Sequence, residues 1–422
     1  MSRTDLRRSW QGEMAADFDV LIVGGGMVGA ALACALIGLP LKVALVEAIP
    51  FPALSKPGYD DRCSALSYAT VRVLQTLGVW DKIAADATPI RSIHVSERGG
   101  FGVTRLNAAD AGVEAYGQVV PNRVTGSALL AQLQAATNIT VINPARVTHL
   151  LPGGEHLTVM LEEGGAETSF QVKLLVAADG TESPIRNYLG IEATRRDYGH
   201  SAIIANVTPS RPHNGVAYER FTPAGPVAML PLPDRCAMVF TVPNDQADYY
   251  RNLPDHDFLQ IIQARFGGRL GRFKQIGRRQ MFPIGLVEAQ RMTDRRVVLM
   301  GNAAHTMHPV AGQGFNLALR EVALLAEMIA QTDDPGETAL LESFVQRSAG
   351  HRQLIGRGTD GLSRLFTTSA PGLVTARSLG LIGLDLWEWG KVGFTREAMG
   401  IDSTMPLLAR GRRLNQPIVR IP

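Results

Sequence analysis

The sequence predicts an α/β protein in which a parallel-sheet domain is interleaved with an antiparallel-sheet domain and followed by C-terminal helices. Three observations carry this reading. Near the N-terminus a short apolar strand runs into a glycine turn and an alanine-rich helix. Apolar strands of the same buried type return far later, at Leu174–Ala177 and Arg296–Met300. Between them, short runs alternate polar and apolar residues, as half-buried antiparallel strands do. A chain of 422 residues suits two or three domains, and no fixed-period repeat or low-complexity linker separates them.

The first unit is a βαβ pattern: a strand at Asp19–Val23, a helix from about Met27 to Ile37 and a strand at Lys42–Val46. It carries Gly24-x-Gly26-x-x-Gly29, with Glu47 eighteen residues beyond Gly29. Gly24 turns the chain, Gly26 lets backbone approach a pyrophosphate, Gly29 lets helix and strand pack, and Glu47 can accept hydrogen bonds from ribose hydroxyls. This is a Rossmann-like dinucleotide fingerprint, which by itself does not separate FAD from NAD. The uncharged run Val20–Pro40 is long enough to span a bilayer. Its split into strand, glycine turn and helix argues for burial inside a soluble domain instead.

The remaining elements follow the same periodicities. A helix is expected at Ala65–Leu77, strands at Ser92–Ser96 and Val103–Leu106, and a helix at about Ser127–Ala136. Strands follow at Thr140–Ile142, Val147–Leu150 and Leu157–Leu161, then at Ser201–Val207, Ala217–Phe221, Val227–Pro231 and Cys236–Val242. Further helices are expected at Asp257–Phe266, Gly314–Gln331 and much of Glu337–Arg364. The resulting partition assigns residues 17–90, 119–194 and 286–345 to a discontinuous nucleotide-binding domain. Residues 91–118 and 195–285 form a substrate domain, and 346–422 a C-terminal helical region.

Composition excludes several classes. Hydrophobic content of 45% with 19% charged residues excludes a disordered chain. The net charge of +3 arises from 42 basic and 39 acidic residues without long blocks, which argues against nucleic-acid binding. Arg410, Arg412 and Arg413 read as a solvated tail, with anionic lipid or a partner as the alternative. Cys34, Cys63 and Cys236 are scattered and odd in number, which fits a reducing compartment without a disulfide framework or metal site. The opening Met1–Gln11, despite Arg3, Arg7 and Arg8, lacks the apolar core of a signal peptide. The expected location is the cytoplasm, with peripheral contact to the inner membrane left open.

Two later motifs refine the ligand. Asp179-Gly180 ends a buried strand, in a run that continues to Arg186. Gly301-Asn302 ends another, and leads through His305 and His308 into Pro309-Val-Ala-Gly312-Gln313-Gly314-Phe-Asn316. With Asp60-Asp61-Arg62-Cys63-Ser64-Ala65-Leu66, these blocks make the chain, from Asp19 to about Gly400, resemble the FAD-dependent aromatic hydroxylases typified by p-hydroxybenzoate hydroxylase. Within that group it is most similar to the ubiquinone-biosynthesis hydroxylases of the 2-polyprenyl-6-methoxyphenol type. The resemblance implies FAD bound by Gly24, Gly26, Gly29, Glu47, Arg62, Asn122, Arg123, Asp179, Gly180, Gly301, Asn302, Pro309, Gly312, Gly314 and Asn316. Glu47 would hold the adenosine ribose, Arg62 the flavin's phosphate or ribityl chain, and Asp179 both FAD and the nicotinamide. Asn302 departs from the common Gly-Asp form, keeping an acceptor but losing the charge. It also implies a reaction in which NAD(P)H reduces FAD, O2 forms a C4a-hydroperoxide, and oxygen passes to the ring of a prenylated phenol. A multiprotein ubiquinone-biosynthesis complex is the implied setting.

Read from the residues, the loop of the third motif agrees. Pro309 rigidifies the approach, Gly312 and Gly314 leave N–H groups accessible, and a helix beginning at about Gly314 directs its positive end toward the flavin edge, with Gln313 near the ring. His305 and His308 lack accompanying ligands, so structural hydrogen bonding is expected of them and no metal. His94, on an expected strand of the substrate domain, is a candidate for taking a phenol proton. The substrate surface is expected on the antiparallel sheet of Arg91–Gln118 and Arg195–Phe282. There Met229, Leu230, Val239 and Phe240 are either pocket lining for a lipid tail or ordinary core. The stretches Leu362–Phe366 and Val374–Trp389, with Trp387 and Trp389, fit either a membrane-facing surface or packing over the core. Three rival functions remain: a flavin oxidase or reductase without oxygen insertion, a non-catalytic FAD-binding scaffold, and a hydroxylase of small phenols.

Overall fold

Strands apolar on both faces must be covered on both faces, and this sets the architecture. The computed structural model describes residues 16–51, 58–306, 313–367 and 373–415. Its parallel sheet runs in the order Val297–Leu299, Ala166–Ala177, Phe18–Val23, Val43–Val46, Ile139–Ile142. Val20, Leu21, Ile22 and all of Val43–Val46 are completely buried. Met27–Ala35, the helix of the glycine motif, packs against Asn122–Leu133 and Gln313–Ile329. The first half of Ala166–Ala177 leaves the parallel sheet and joins an antiparallel meander with Leu157–Glu163 and Arg146–Pro152.

The second sheet is built on two long antiparallel strands, Ala193–Pro209 and Gln280–Ala289. Cys236–Pro243, Val227–Pro231 and Val216–Phe221 follow in order, and Ser92–Glu97 then adds in parallel, with Val103–Asn107 at its edge. One face is covered by Ala247–Asn252 and Asp255–Phe266, whose Tyr250, Phe258, Ile262 and Phe266 pack on Ile203, Val227, Met229, Met238 and Phe240. Met229 and Phe240 are therefore core under these helices, the second of the two readings their sequence left open. Leu230 and Val239 alternate with them and occupy the opposite face.

The helix expected over Ala65–Leu77 is instead a strand, Cys63–Ser67, followed by a helix, Tyr68–Thr76. Cys63–Ser67 pairs with Gly117–Pro121, which also pairs with Thr88–Pro89, and this long-range pairing overrides the local helical pattern. Ser67 ends the strand and caps the helix, its Oγ accepting from the Thr70 N–H at 3.2 Å. The helix expected at Ser127–Ala136 begins at Asn122, directly after Pro121, so Asn122 and Arg123 lie in its first turn.

The C-terminal helices are Thr338–Thr367, Leu373–Leu386 and Glu388–Ala398. Leu373–Leu386 lies along the hairpin of Ser92–Glu97 and Val103–Asn107. Thr104 Oγ1 donates to the Leu381 carbonyl at 2.8 Å, and the Arg105 N–H donates to Asp385 Oδ1 at 2.7 Å. At Gly102 a Cβ would lie 2.2 Å from the Ser378 carbonyl oxygen, so the chains touch backbone to backbone. Arg377 donates to Glu97 in an ion pair whose side chains are 4% and 5% exposed. Outward, Leu379, Leu386 and Trp387 are exposed. Leu362–Phe366 and Trp389 have side chains outside the described residues.

Breaking a buried ion pair strands a charge in a low-dielectric site. Arg377→Ala should lower unfolding stability by about 3–5 kcal/mol, whereas the double change Arg377→Met with Glu97→Gln should recover most of it. Urea unfolding followed by tryptophan fluorescence checks both.

Candidate FAD and substrate site

The three motifs meet because parallel strands end together. Gly24 follows Phe18–Val23, Asp179 and Gly180 follow Ala166–Ala177, and Gly301 follows Val297–Leu299. The backbones lock at this edge: Gly24 N–H donates to the Val46 carbonyl, Ala178 N–H to Val23 and Met300 N–H to Ala177, each at 2.8 Å. Ligands of open α/β sheets bind at this carboxyl edge.

The glycines divide by what surrounds them. Gly24 has φ +107°, and a Cβ there would lie 2.4 Å from the Ala178 carbonyl oxygen; a Cβ on Gly29 would lie 2.0 Å from that of Gly24. Both are packing requirements. Gly26, the residue capping Met27–Ala35, has nothing within 4 Å of an added Cβ. The space above this helix start is open, and the unpaired N–H groups of the first turn point into it. Glu47 lies at its rim, with Oε2 accepting from the Gly25 N–H and Oε1 from the Ile49 N–H, both at 2.7 Å. Each oxygen retains a lone pair for a further donor.

Asp179 presents an unmet acceptor. Its Oδ2 accepts from the Ile185 N–H at 3.0 Å, while its Oδ1 is buried without a partner. Burial raises its carboxyl above the ordinary carboxylate range. Gly180 and Gly301, with φ +89° and +56°, turn the chain away from the strands, and the Asn302 side chain is exposed beside them. Arg62 is exposed, its guanidinium 4.7 Å from the ring centre of Phe282 on the second sheet. Arg123 Nε donates to Asp61 at 2.8 Å, and Asn122 Oδ1 accepts from Ser64 Oγ at 2.7 Å. Asn316 faces this strand: its Oδ1 accepts from the Ser67 N–H at 2.8 Å and its Nδ2 donates to the Ala65 carbonyl at 2.9 Å. It thus ties Gln313–Ile329 to Cys63–Ser67. His308, Pro309 and Gly312 lie outside the described residues, as does the side chain of Gln313; Gly314 lies in the first turn of Gln313–Ile329.

Residues 17–357 match the FAD binding domain family. The ubiquinone hydroxylase UbiL of Rhodospirillum rubrum is 37% identical over 402 residues, covering 93% of this chain and 92% of that protein. The chain belongs to the FAD-binding ubiquinone-hydroxylase family. The human mitochondrial ubiquinone biosynthesis monooxygenase COQ6 is 29% identical, covering 89% of this chain and 91% of that one. Among solved structures, p-nitrophenol 4-monooxygenase PnpA of Pseudomonas putida DLL-E4 superposes with a TM-score of 0.75 over 92% of this chain and 99% of that chain. At 16% identity that likeness speaks for the fold alone.

As in other members of this family, the chain is an FAD-dependent aromatic hydroxylase. The residues present fit FAD: an open helix N-terminus suits a pyrophosphate, and a buried acceptor without a donor suits a hydroxyl. The second sheet has another face, turned away from Asp255–Phe266. At one end of this face Asn206 Nδ2 donates to the carbonyls of Tyr59 and Asp61, so the segment holding Arg62 is seated on it.

The histidines fall elsewhere. His305 Nε2 bonds Glu321 at 2.9 Å, with both side chains buried, which is a structural pairing. His94 lies on the helix-covered face against Tyr218, with ring centres 5.5 Å apart, and burial lowers its pKa to about 4. It is thus buried under the covering helices, which argues against its candidacy as a base. Among the described residues, one trio was missed by sequence: His351 Nδ1 lies 3.9 Å from both Glu397 and Asp402. Asp402 is already engaged by Arg320 at 2.8 Å and by Thr404, so the trio is part of an ion-pair network.

Two tests follow. Gly29→Ala should destabilise the fold, whereas Gly26→Ala should fold normally and bind FAD at least about tenfold more weakly, roughly 1.4 kcal/mol; flavin fluorescence titration with thermal melting separates the two. His94→Phe should leave turnover within about twofold of the parent, since aromatic swaps of similar volume cost little. His94 titrates lower folded than unfolded, so its stabilising contribution holds above the unfolded value and is lost as pH falls through 6.5 toward about 4. The variant should therefore lose less stability over that window, with the remainder carried by His351, whose pKa burial also lowers to about 4. Melting temperature against pH reads this.

Proposed function

We propose that the protein hydroxylates the ring of a polyprenylated phenol in ubiquinone biosynthesis, taking two electrons from NAD(P)H and one oxygen atom from O2. The second oxygen atom leaves as water, and a ring C–H becomes C–OH. The observation that carries this reading is the half-buried, mainly apolar sheet face beside the nucleotide edge, formed by Val95, Ala228, Val239, Ile204 and their neighbours. A face of this kind suits a flat ring with an apolar tail. Likeness along nearly the full length of a ubiquinone hydroxylase supports the same substrate class.

FAD, when bound, relays electrons from the nicotinamide to oxygen. The chain's own residues then have separate tasks. Gly24, Gly26 and Gly29 with the start of Met27–Ala35 hold the pyrophosphate, and Glu47 accepts from the adenosine ribose. Asp179 and Asn302 accept from the ribityl hydroxyls. Arg62 lies between cofactor and substrate face, fixed by Phe282. Asn122, Arg123 and Asn316 act by holding the Asp61–Ser67 segment in place. No helix among the described residues is long and apolar enough to cross a membrane. The exposed Leu379, Leu386 and Trp387 support a peripheral encounter with the lipid phase that holds such a substrate.

Purified protein supplied with NAD(P)H, isotopically labelled O2 and a 2-prenylphenol should insert one labelled atom per turnover, as read by mass spectrometry. NAD(P)H consumption with peroxide as the sole oxygen product would overturn the assignment.

A further inference from the structure

The register of the second sheet places one carboxylate in the middle of the proposed substrate face. Pairings align Val95, Glu219, Ala228, Val239, Ile204 and Gln280 across six strands, and all six residues are half-buried. The rows on either side of each strand face the covering helices, through Tyr218, Met229, Met238 and Ala205. Glu219 is the ionisable member of the aligned row. Its neighbours are apolar: Ala217 and Phe221 along its own strand, Val95 and Ala228 across. Among the described residues nothing hydrogen-bonds or ion-pairs with it.

Other charges near this face are committed elsewhere. Glu97, beside Phe221, is paired with Arg377 from Leu373–Leu386. Arg62 lies over Phe282 of Gln280–Ala289, and Arg123 holds Asp61. Cys63 and Tyr68 reach the Ala217 end without charge, and Arg220 on Glu219's own strand projects to the opposite face. A carboxyl placed among apolar groups without a partner is costly, and nothing in the packing of the sheet requires one.

We propose that Glu219 is the catalytic base that takes the proton of the substrate's phenolic hydroxyl. The O–H bond breaks, the proton moves to a Glu219 carboxylate oxygen, and the electron pair stays on the phenol oxygen, which enriches the ring for attack on oxygen. Glu219 returns the proton to solvent after product leaves. Burial supports the role, because it pushes the Glu219 pKa up to about 7, where a carboxylate is both available and basic at neutral pH. The inference rests on the phenol-hydroxylase reading above.

The test uses the full-length holoenzyme with Glu219→Gln and Glu219→Asp, assayed on 2-geranylphenol and on a ring-fluorinated counterpart whose hydroxyl is more acidic. The parent's rate should rise with pH about a midpoint near 7. Glu219→Gln should lose that limb and about 100-fold in kcat while keeping its flavin, and Glu219→Asp should recover part of the rate. On the fluorinated phenol the Gln defect should shrink at least severalfold, an effect that a packing role would not produce. Folding is read separately. A carboxyl whose folded pKa is raised contributes stability below its unfolded value and loses it as pH rises through about 7, so at pH 8 the Gln variant should melt no lower than the parent. Unchanged turnover and pH profile in Glu219→Gln, or an equal defect on both phenols, overturns the assignment of the base. A parent that oxygenates neither phenol overturns the functional reading itself.

Discussion

The structure depends on the parallel pairing of Phe18–Val23 with Ala166–Ala177. These strands are far apart in sequence, with the whole of the small Cys63–Ser67 sheet between them, yet their register brings Gly24 so close to Ala178 that no side chain fits between them. That contact determines where the helix Met27–Ala35 starts, and thus where its unpaired N–H groups aim. It also fixes Asp179 on the adjacent strand end, within the same crevice. A nucleotide site of this type has no single strong contact; it is an edge where several strands stop at one level, and the level is set by backbone packing.

The second sheet solves a different problem. A half-buried sheet must hide one face, and here Asp255–Phe266 and Ala247–Asn252 hide the face bearing Met229, Met238 and Phe240. The opposite face is then left to the small sheet at Cys63–Ser67, to the Tyr59–Arg62 segment and to Leu373–Leu386, which cover its ends and leave the middle row half-open. The same Asp60–Leu66 run that resembles a flavoprotein signature is therefore also a wall of the proposed substrate side. Asn206 and Phe282 are among the second-sheet residues that hold it there, and neither is conspicuous in the sequence.

What could be read in advance follows from the range of the forces involved. The βαβ unit, its glycines, Glu47 and the Asp179-Gly180 strand end are local patterns, and they emerge at or within two residues of the expected places. Cys63–Ser67 was misread because its strand state depends on Gly117–Pro121, a partner with no local signature. Period-2 alternation marked the strands of the second sheet but cannot say which face a helix will cover. That ambiguity left Met229 and Phe240 open between core and pocket lining, kept His94 as a candidate base and left Glu219 unnoticed, although Val216–Phe221 plainly alternates. Asn316 stands in a ligand motif, and its side chain also bonds the Ser67 N–H and the Ala65 carbonyl, a long-range tie that no local pattern announces.

The two carboxylates of the open face show how the C-terminal helices bear on the site. Glu97 and Glu219 occupy neighbouring strands on the same face, offset by one step of the pleat. Left together and ionised, they would repel each other and draw water onto the sheet. Arg377 cancels Glu97 and is carried by Leu373–Leu386, which also presses its backbone on Gly102 and Leu381 on Phe221. The helix thereby leaves Glu219 as the unneutralised group in an otherwise uncharged row. A segment far from the nucleotide motifs thus sets the polarity of the surface facing them, through one ion pair and a line of close backbone packing.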